Sequence, residues 1–329
     1  MSSPARATLA PAPQASHPRD DQARGLRALV QSLKPQSIPV PRAPRVPTLC
    51  ICSGKGGVGK TMIAANLAIT FAQRSQSPLL IDADHGTPNA DLLLGLTPTR
   101  RIDQGLSGPS PELLERTSIQ GHHGLRLIAG TTSAHWAADA SFARCRDLLD
   151  AAESMKPAPG VILIDTGAGV GPGVLTFAEL ADLVLIVATP DPTSIADAYA
   201  VLKALHQRPS SLHERRWKPA LVINEAQSQH EADRTFHRLA QCASRFLSLE
   251  IQNFGWIPAS PDVQRSVRER APVLLQSAES AASAAIMGLA DHASGVLGMS
   301  DNRPKPAPGP ARLLRRWLGL HERSSSHAR

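Results

Sequence analysis

The feature of this 329-residue chain that most constrains its fold is a glycine-rich loop with a distinct segment on either side. Pro47–Ser53 is a short apolar run, Gly54–Thr61 fits the pattern Gly-x-x-x-x-Gly-Lys-Thr, and neither glycine nor proline follows before Arg74. This order predicts a strand, a phosphate-binding loop and a helix whose positive end faces the bound anion. The alternative is a glycine-rich turn with a solvated lysine, which leaves both flanking segments unexplained.

The residue types of this loop suit the phosphates of a nucleoside triphosphate and a magnesium ion. Small residues let backbone N–H groups approach the phosphates closely. The Lys60 ammonium would reach the β- and γ-phosphates, and the Thr61 hydroxyl would bind Mg²⁺. The predicted nucleotide-binding residues of the loop are Gly54, Lys55, Gly56, Gly57, Val58, Gly59, Lys60 and Thr61.

Two other apolar runs end in carboxylates. Leu79–Asp84 ends in Asp82 and Asp84, and the alternation of side chains along a strand puts both on the same side at its carboxyl end. Val161–Asp165 is the second run. Ligands of open α/β sheets bind at the carboxyl ends of strands, so these carboxylates are candidates for the same site. The alternatives are an aspartate pair that caps a turn and a plain β-to-α turn.

The pattern of strands and intervening segments predicts the fold class. Asp182–Thr189 and Pro219–Asn224 are further apolar runs, and 42% apolar residues allow one large domain. We expect an α/β fold with a doubly wound, mostly parallel sheet and helices on both faces. Asn224 ends the last run, and such an amide taken alone is more often a cap or a turn residue.

Lys-Gly-Gly-Val-Gly-Lys-Thr, at Lys55–Thr61, resembles the deviant Walker A loop of the MinD/ParA ATPases. The resemblance implies a P-loop ATPase that hydrolyses ATP with Mg²⁺ and closes as a homodimer around it. In that family the first lysine, here Lys55, crosses to the phosphates of the partner subunit. It would act there as an arginine finger does, by adding a cation only when the partner is present.

The same resemblance assigns roles to the polar residues that end the strands. Asp82 would support the magnesium shell, Asp84 would orient the attacking water, and Asp165 would hold Mg²⁺ through water. In the family an asparagine at the position of Asn224 reads the adenine edge, which suits a group with both a donor and an acceptor. The implied catalytic residues are Lys55, Lys60 and Asp84, and the implied metal site consists of Thr61, Asp82 and Asp165.

Longer segments are similar to one branch of this family, FlhG, which is also called FleN or YlxH. They are Leu80–Leu96, Ile164–Gly169, Thr189–Tyr199, Asn224–Gln227 and Gly255–Pro258. The branch controls flagellar number and placement, so the resemblance implies this role, with flagellar switch proteins or a flagellar transcription regulator as further partners. His85 departs from the apolar residue that is usual beside the second aspartate. The alternative is a MinD-type division-site or a ParA-type DNA-partitioning ATPase.

The first 47 residues are predicted to form a separate region with one short helix. Residues 1–20 are rich in Pro, Ala and Ser and should be disordered, an amphipathic helix is expected over 20–34, and five prolines in 35–47 indicate an extended linker. Asp21–Arg27 resembles the segment with which the FlhG family activates the GTPase FlhF. The implied contacts with an FlhF-type GTPase are Asp21, Gln22, Leu26 and Arg27. The alternative is a helix folded back on the protein's own core.

Residues 301–329 are predicted to form a second separate region. Four prolines make a spacer, and residues 311–321 combine leucines and arginines around one tryptophan. On a helical wheel the arginines lie opposite the apolar residues, which is typical of a helix in a membrane interface. The predicted membrane contacts are Leu313, Leu314, Trp317 and Leu318. The alternative is a small helix packed on the protein body or on a partner.

The net charge of +7 comes from the two ends of the chain. Residues 1–47 and 301–329 each hold seven Lys/Arg and two acidic residues, or +5 at each end, which leaves −3 for the predicted ATPase domain over 48–300. This domain therefore gives no strong DNA-binding signal, although Arg265, Arg268 and Arg270 form a local basic patch. Four cysteines without CxxC spacing favour a reducing cytoplasm, and the C-terminal helix implies reversible attachment to the inner face of the cell membrane.

Overall fold

The computed structural model describes residues 45–102, 108–132, 141–208 and 218–299. Within these ranges one sheet contains the strands β1 Thr48–Ser53, β2 Pro78–Ala83, β3 Ile119–Gln120, β4 Arg126–Ile128, β5 Val161–Ala168, β6 Leu183–Ala188, β7 Lys218–Ala226 and β8 Gln252–Pro258. The strand order is β3-β4-β2-β5-β1-β6-β7-β8. Every neighbouring pair is parallel except β3 with β4.

Helices follow most of the strands. They are α1 Lys60–Gln73, α2 Ala90–Leu93, α3 Pro111–Thr117, α4 Phe142–Glu153, α5 Pro172–Leu180, α6 Pro192–Gln207, α7 Gln229–Leu247, α8 Pro261–Arg268, α9 Val273–Gln276 and α10 Ala281–Leu297, with a 3-10 turn at His122–Gly124. Three of them begin with a capping side chain followed by proline: Ser110, Asp191 and Ser260 each accept a backbone N–H of the first turn. Proline suits that position because its missing N–H would have no partner there.

The sheet separates two hydrophobic layers. Alternate strand residues point to opposite faces, so Cys50 and Ile164 pack under α4–α7, whereas Leu49 and Leu163 pack under α1, α9 and α10. All six residues of β1 are buried, which is typical of a central parallel strand covered on both faces. The phosphate-binding loop therefore leaves the sheet at its centre.

The predicted fold class is confirmed. The sheet is mostly parallel with helices on both faces, and the predicted strand at Pro47–Ser53 and helix after Thr61 agree with β1 and α1 within one residue. The predicted helices at 20–34 and 311–321, with the GTPase and membrane contacts assigned to them, lie outside the described residues, and the division of the chain into three regions stays a prediction. No helix in the described ranges is long and apolar enough to cross a bilayer.

Candidate nucleotide-binding site

The loop between β1 and α1 passes so close to two neighbouring elements that two of its positions require glycine. A methyl group at Gly54 would overlap the backbone carbonyl of Asp197 in α6. Gly59 adopts a φ of +91°, and a methyl group there would meet the Asn224 amide on β7. A side chain at either position would displace the loop from the sheet.

Lys60 and Thr61, the first residues of α1, line a cavity of about 830 Å³. Lys60 is only 7% exposed, so its side chain is largely shielded from bulk solvent. Gly59 provides no side-chain cap, so the first N–H groups of α1 are left to a bound anion. The volume is in the range of small-molecule sites, and the described walls of the cavity come from the carboxyl ends of β2, β5 and β7 and from α8.

Asp165 on β5 is fully buried, and neither of its carboxylate oxygens has a hydrogen-bond partner among the described residues. Burial, followed by the charge of Asp82, raises the pKa of Asp165 to about 8. The Thr61 hydroxyl and the Lys60 ammonium act in the opposite direction, and the hydroxyl does so without reaching regular hydrogen-bond geometry. A buried carboxylate of this kind is costly unless a ligand or a cation completes its coordination.

Asp82 lies opposite Asp165 in the register of β2 and β5. Its Oδ1 accepts the N–H of Asp84 at 3.1 Å, and its Oδ2 accepts the N–H of Ala90 at 3.0 Å. Burial raises the pKa of Asp82 to about 6 against the lowering effect of these hydrogen bonds. The carboxylate therefore anchors the start of α2 while it stands beside Asp165.

Asp84 lies one residue beyond β2, and its carboxylate caps the following turn. Its Oδ1 accepts the N–H of Gly86 at 2.9 Å and the N–H of Thr87 at 3.0 Å. The turn-capping alternative is thus observed for this aspartate. Asp84 nevertheless lines the cavity, where its carboxylate faces Gly167 of β5. The capping contacts hold the carboxylate at the cavity rather than remove it.

The residues present fit a magnesium ion. Thr61, Asp82 and Asp165 offer oxygen atoms, the ligand type that Mg²⁺ prefers, and both oxygens of Asp165 have no other partner among the described residues. The described ranges contain no group of three or more His, Cys, Asp or Glu side chains placed to hold a metal by themselves. Such a site would take its remaining ligands from phosphate and water.

The Lys55 ammonium lies outside the cavity, at a separate hollow of about 360 Å³. It forms an ion pair with Asp191 and donates a hydrogen bond of 2.7 Å to the Thr193 hydroxyl. Both acceptors belong to the start of α6, and the hydrogen bond from Lys55 lowers the pKa of Asp191. Within one subunit, Lys60 therefore lines the large cavity, whereas Lys55 lines the separate hollow beside α6.

Asn224 is buried and lies next to the loop. Its Nδ2 donates a hydrogen bond of 2.8 Å to the Val58 carbonyl, and the residue also lines the cavity. This contact differs from the turn contact expected of such an amide alone, and the adenine role that the resemblance implies stays a prediction. It connects β7 to the phosphate-binding loop.

Some features of the site were missed in the sequence. Asp191 is the ion-pair partner of Lys55, and Glu225 adopts a φ of +60° at the edge of the cavity. In the sequence, the Asp-Pro pair at Asp191 predicts only a helix start. Its contact with Lys55 was not predictable, because residues 136 positions apart leave no local pattern. The predicted basic patch is divided, since Arg265 pairs with Asp262 at 3.2 Å and Arg268 lines the cavity.

Comparison with known proteins agrees with this geometry. The family described as the CobQ/CobB/MinD/ParA nucleotide binding domain matches residues 49–273. The chain belongs to this ATPase family. The matched range begins in β1, contains the loop and all three carboxylates, and ends in α9.

Two flagellar proteins are among the relatives. Antiactivator FleN of Pseudomonas aeruginosa is 32% identical over 245 residues, which cover 74% of this chain and 85% of FleN. Flagellum site-determining protein YlxH of Helicobacter pylori is 34% identical over 223 residues, which cover 68% of this chain and 73% of YlxH. The predicted similarity to the FleN/YlxH branch is therefore confirmed.

Solved MinD structures share the fold. MinD of Aquifex aeolicus, from a MinC:MinD complex, has a TM-score of 0.60 at 26% identity over 76% of this chain and 96% of that chain. MinD of Pyrococcus horikoshii, solved with Mg-ADP, has a TM-score of 0.58 at 20% identity over 77% and 97% of the two chains, and this likeness shows the fold alone.

Proposed function

We propose that this protein is an ATP-dependent dimerisation switch that regulates flagellar number and placement at the cytoplasmic membrane. The observation that carries the proposal is the separation of the two loop lysines: Lys60 lies in the cavity, whereas Lys55 lies outside it on Asp191. A cation held outside its own cavity is available to a second subunit. FleN and YlxH are described as an antiactivator and a flagellum site-determining protein, which supports the flagellar role.

Within one subunit, the cavity would hold ATP by its phosphates. Backbone N–H groups of Gly56–Gly59 and of the first turn of α1 would donate to phosphate oxygens, and Lys60 would neutralise the β- and γ-phosphates. Asn224, next to Val58, would present its amide to the adenine.

Hydrolysis would take place between Asp84 and the carboxylate pair. Thr61, Asp82 and Asp165 would hold Mg²⁺, which neutralises charge on the transferring phosphoryl group. Asp84 would orient the attacking water, and its hydrogen bonds to Gly86 and Thr87 keep the carboxylate in place for that task.

Dimerisation would move Lys55 from Asp191 to the phosphates of the partner subunit. The side chains of this ion pair are 39% and 44% exposed, and ion pairs in contact with solvent contribute little to stability. A triphosphate with several charged oxygens is a much stronger partner for the ammonium. The pair therefore holds Lys55 in the monomer without opposing the dimer appreciably.

The two ends of the chain would contact the partner GTPase and the membrane. The 20–34 helix would activate an FlhF-type GTPase, and the 311–321 helix would bind lipids at the inner face of the cytoplasmic membrane. Two such helices in one dimer bind far better than one, because the second insertion is intramolecular. FleN is described as an antiactivator, which supports a flagellar transcription regulator as a further partner beside flagellar switch proteins.

Sedimentation of the full-length Asp84→Ala variant with Mg-ATP tests the switch. We expect a stable dimer with ATP and a monomer with ADP, because the variant binds ATP without hydrolysing it. Adding Lys55→Ala should restore the monomer while ATP still binds, whereas adding Lys203→Ala, at an exposed lysine of α6, should leave the dimer intact. A monomer in the ATP-saturated Asp84→Ala variant, or a dimer that does not need Lys55, would contradict the proposal.

Liposome pelleting tests the membrane output. The Asp84→Ala dimer should pellet with vesicles that contain anionic lipid, and the added Trp317→Glu substitution should abolish pelleting without changing sedimentation. Pelleting that does not depend on ATP or on Trp317 would refute the membrane role of 311–321.

A GTPase assay tests the N-terminal segment. A peptide of residues 21–34 should stimulate an FlhF-type GTPase, and the same peptide with Gln22→Ala and Arg27→Ala should not. Equal stimulation by both peptides would remove the assigned contacts.

DNA partitioning is the second candidate function, and one observation favours it. α7 exposes a row of basic side chains that form no ion pair within the described ranges: His230, Arg234, His237, Arg238 and Arg245. Phosphates bound along such a row would give an affinity that falls steeply with salt. ATP-dependent, salt-sensitive DNA binding that is lost in an Arg234→Glu, Arg238→Glu variant would favour this candidate.

A further inference from the structure

One buried carboxylate beside the site has no role in the function proposed above. Asp91, the second residue of α2, is 3% exposed. Its Oδ2 accepts a hydrogen bond of 2.8 Å from Nη2 of Arg101, and its Oδ1 has no partner among the described residues. A buried carboxylate with one cationic partner depends on that partner, because removing it leaves an uncompensated charge.

The same guanidinium reaches the segment after β4 with its second terminal nitrogen. Nη1 of Arg101 donates a hydrogen bond of 2.7 Å to the Gly130 carbonyl. The neighbouring Ile102 N–H donates to the Ala129 carbonyl at 3.1 Å. Arg101 thus joins α2 to the segment that directly follows β4.

Both joined elements contact Asp82. α2 supplies the Ala90 N–H that Oδ2 of Asp82 accepts at 3.0 Å. Gly130 approaches so closely that an added methyl group would lie 2.7 Å from the Asp82 carbonyl oxygen and 3.1 Å from its carboxyl carbon. The Asp82 carboxylate is therefore held between α2 and Gly130, and the Arg101 guanidinium ties these two together.

We propose that Arg101 is a positioning residue for ATP hydrolysis, which acts by holding α2 and Gly130 against Asp82. The turn from Asp84 to Ala90 begins and ends on the Asp82 carboxylate, so this hold also determines where Asp84 faces the cavity. The proposal rests on the ATPase site proposed above and adds a residue that does not line the cavity. Arginine suits the task because its planar fork donates in two directions, whereas a lysine ammonium is a point charge.

The test compares Arg101→Lys and Arg101→Met with Arg208→Met in the full-length protein. Arg208 is a matched control: its Nε pairs with Glu179 at 3.1 Å and its Nη2 donates to the Thr176 hydroxyl at 3.4 Å. None of these three residues lines the cavity. For each variant, the melting temperature, the Kd for Mg-ATP and kcat are measured.

The positioning role predicts a loss in kcat that is larger than the change in ATP binding and that a lowered melting temperature does not by itself produce. Arg101→Met should lower kcat by about tenfold or more while the Kd for Mg-ATP changes by less than about threefold. Arg101→Lys keeps a cation for Asp91, so it should keep the melting temperature yet lose about fivefold in kcat. Arg208→Met should lower the melting temperature as Arg101→Met does but keep kcat within about twofold.

Two results would overturn the proposal. One is a wild-type kcat in the Arg101 variants, and the other is an equal loss of kcat in Arg208→Met, which would show a general effect of lost stability. If Arg101→Met does not fold, Arg101→Lys decides the question by itself. A wild-type protein that fails to hydrolyse Mg-ATP would overturn the proposed function too, whereas unchanged activity in the Arg101 variants leaves that function intact.

Discussion

The Asp165→Asn substitution should stabilise the nucleotide-free protein at neutral pH, although it alters the proposed metal site. The Asp165 carboxyl is fully buried, and burial is the main cause that raises its pKa from 3.8 to about 8. In the unfolded chain the group ionises near its ordinary pKa, so a rising pH favours the unfolded state between the two values. Below about pH 4 this carboxyl therefore does not lower the free energy of unfolding. As the pH rises from there to about 8, the free energy of unfolding falls, because the buried group must ionise.

The size of the effect follows from the two pKa values. Each pKa unit corresponds to about 1.4 kcal/mol, and pH 7 lies about three units above the pKa of Asp165 in the unfolded chain. Ionisation of Asp165 therefore lowers the free energy of unfolding by roughly 4 kcal/mol at about pH 7. A buried asparagine amide without partners costs about 1–3 kcal/mol. At about pH 7 the variant should thus be about 1–3 kcal/mol more stable than the wild type. At about pH 5 the carboxylate costs only about 1.5 kcal/mol, so the two proteins should differ by no more than about 1.5 kcal/mol in either direction.

Urea unfolding in EDTA at about pH 5, 7 and 8.5 measures this gain. Asp191→Asn is the control. The hydrogen bond from Lys55 lowers the pKa of the exposed Asp191, so this carboxylate is ionised in both the folded and the unfolded protein from about pH 5 upward. The difference of this control from the wild type should stay constant over this range. A difference for Asp165→Asn that does not grow from about pH 5 to about pH 8.5 would refute the reasoning.

Three further predictions concern the loop. Gly54→Ala should lower the free energy of unfolding by about 2 kcal/mol or more, because its methyl group would overlap the Asp197 carbonyl. Gly56→Ala is the control: its methyl group has open space and should change the free energy of unfolding by less than about 0.5 kcal/mol. Equal urea midpoints for the two variants would contradict this prediction. Lys60→Ala should weaken Mg-ATP binding by at least about 100-fold in calorimetric titration, and a loss below about tenfold would exclude its phosphate role. Asn224→Ala should lower the free energy of unfolding by about 1–2 kcal/mol, because the Val58 carbonyl loses its 2.8 Å donor, and an unchanged urea midpoint would show that this contact contributes nothing.

Local sequence patterns predicted most of the fold. The apolar runs that became β1, β2, β5, β6 and β7 are recognisable because central parallel strands are buried on both faces and must be apolar throughout. The short β3 and β4 carry no comparable pattern, since two or three residues are too few to show a period. The helix after the loop was predictable because Lys60–Gln73 contains no breaker and is apolar on most sides.

The candidate site was predictable where residues act through their type and through neighbours in the sequence. Lys60, Thr61 and the three aspartates follow strands whose ends meet in any doubly wound sheet. The Lys55–Asp191 and Asn224–Val58 contacts were not predictable, because each joins residues more than a hundred positions apart. The capping contacts of Asp84 are local, and the sequence left them open as an alternative to the catalytic role.

The sequence by itself determined that this chain has a phosphate-binding loop, three carboxylates at strand ends and a mostly parallel sheet, since these depend on short-range chemistry and periodicity. Only the tertiary structure decided which lysine lines the cavity and which strand-end carboxylate has no hydrogen-bond partner among the described residues. It also decided that Arg101 joins α2 to Gly130 beside Asp82. The physical reason is that burial and pairing depend on the elements packed around a group. Those elements come from distant parts of the chain, so their effect on charge and hydrogen bonding exists only once the sheet has formed.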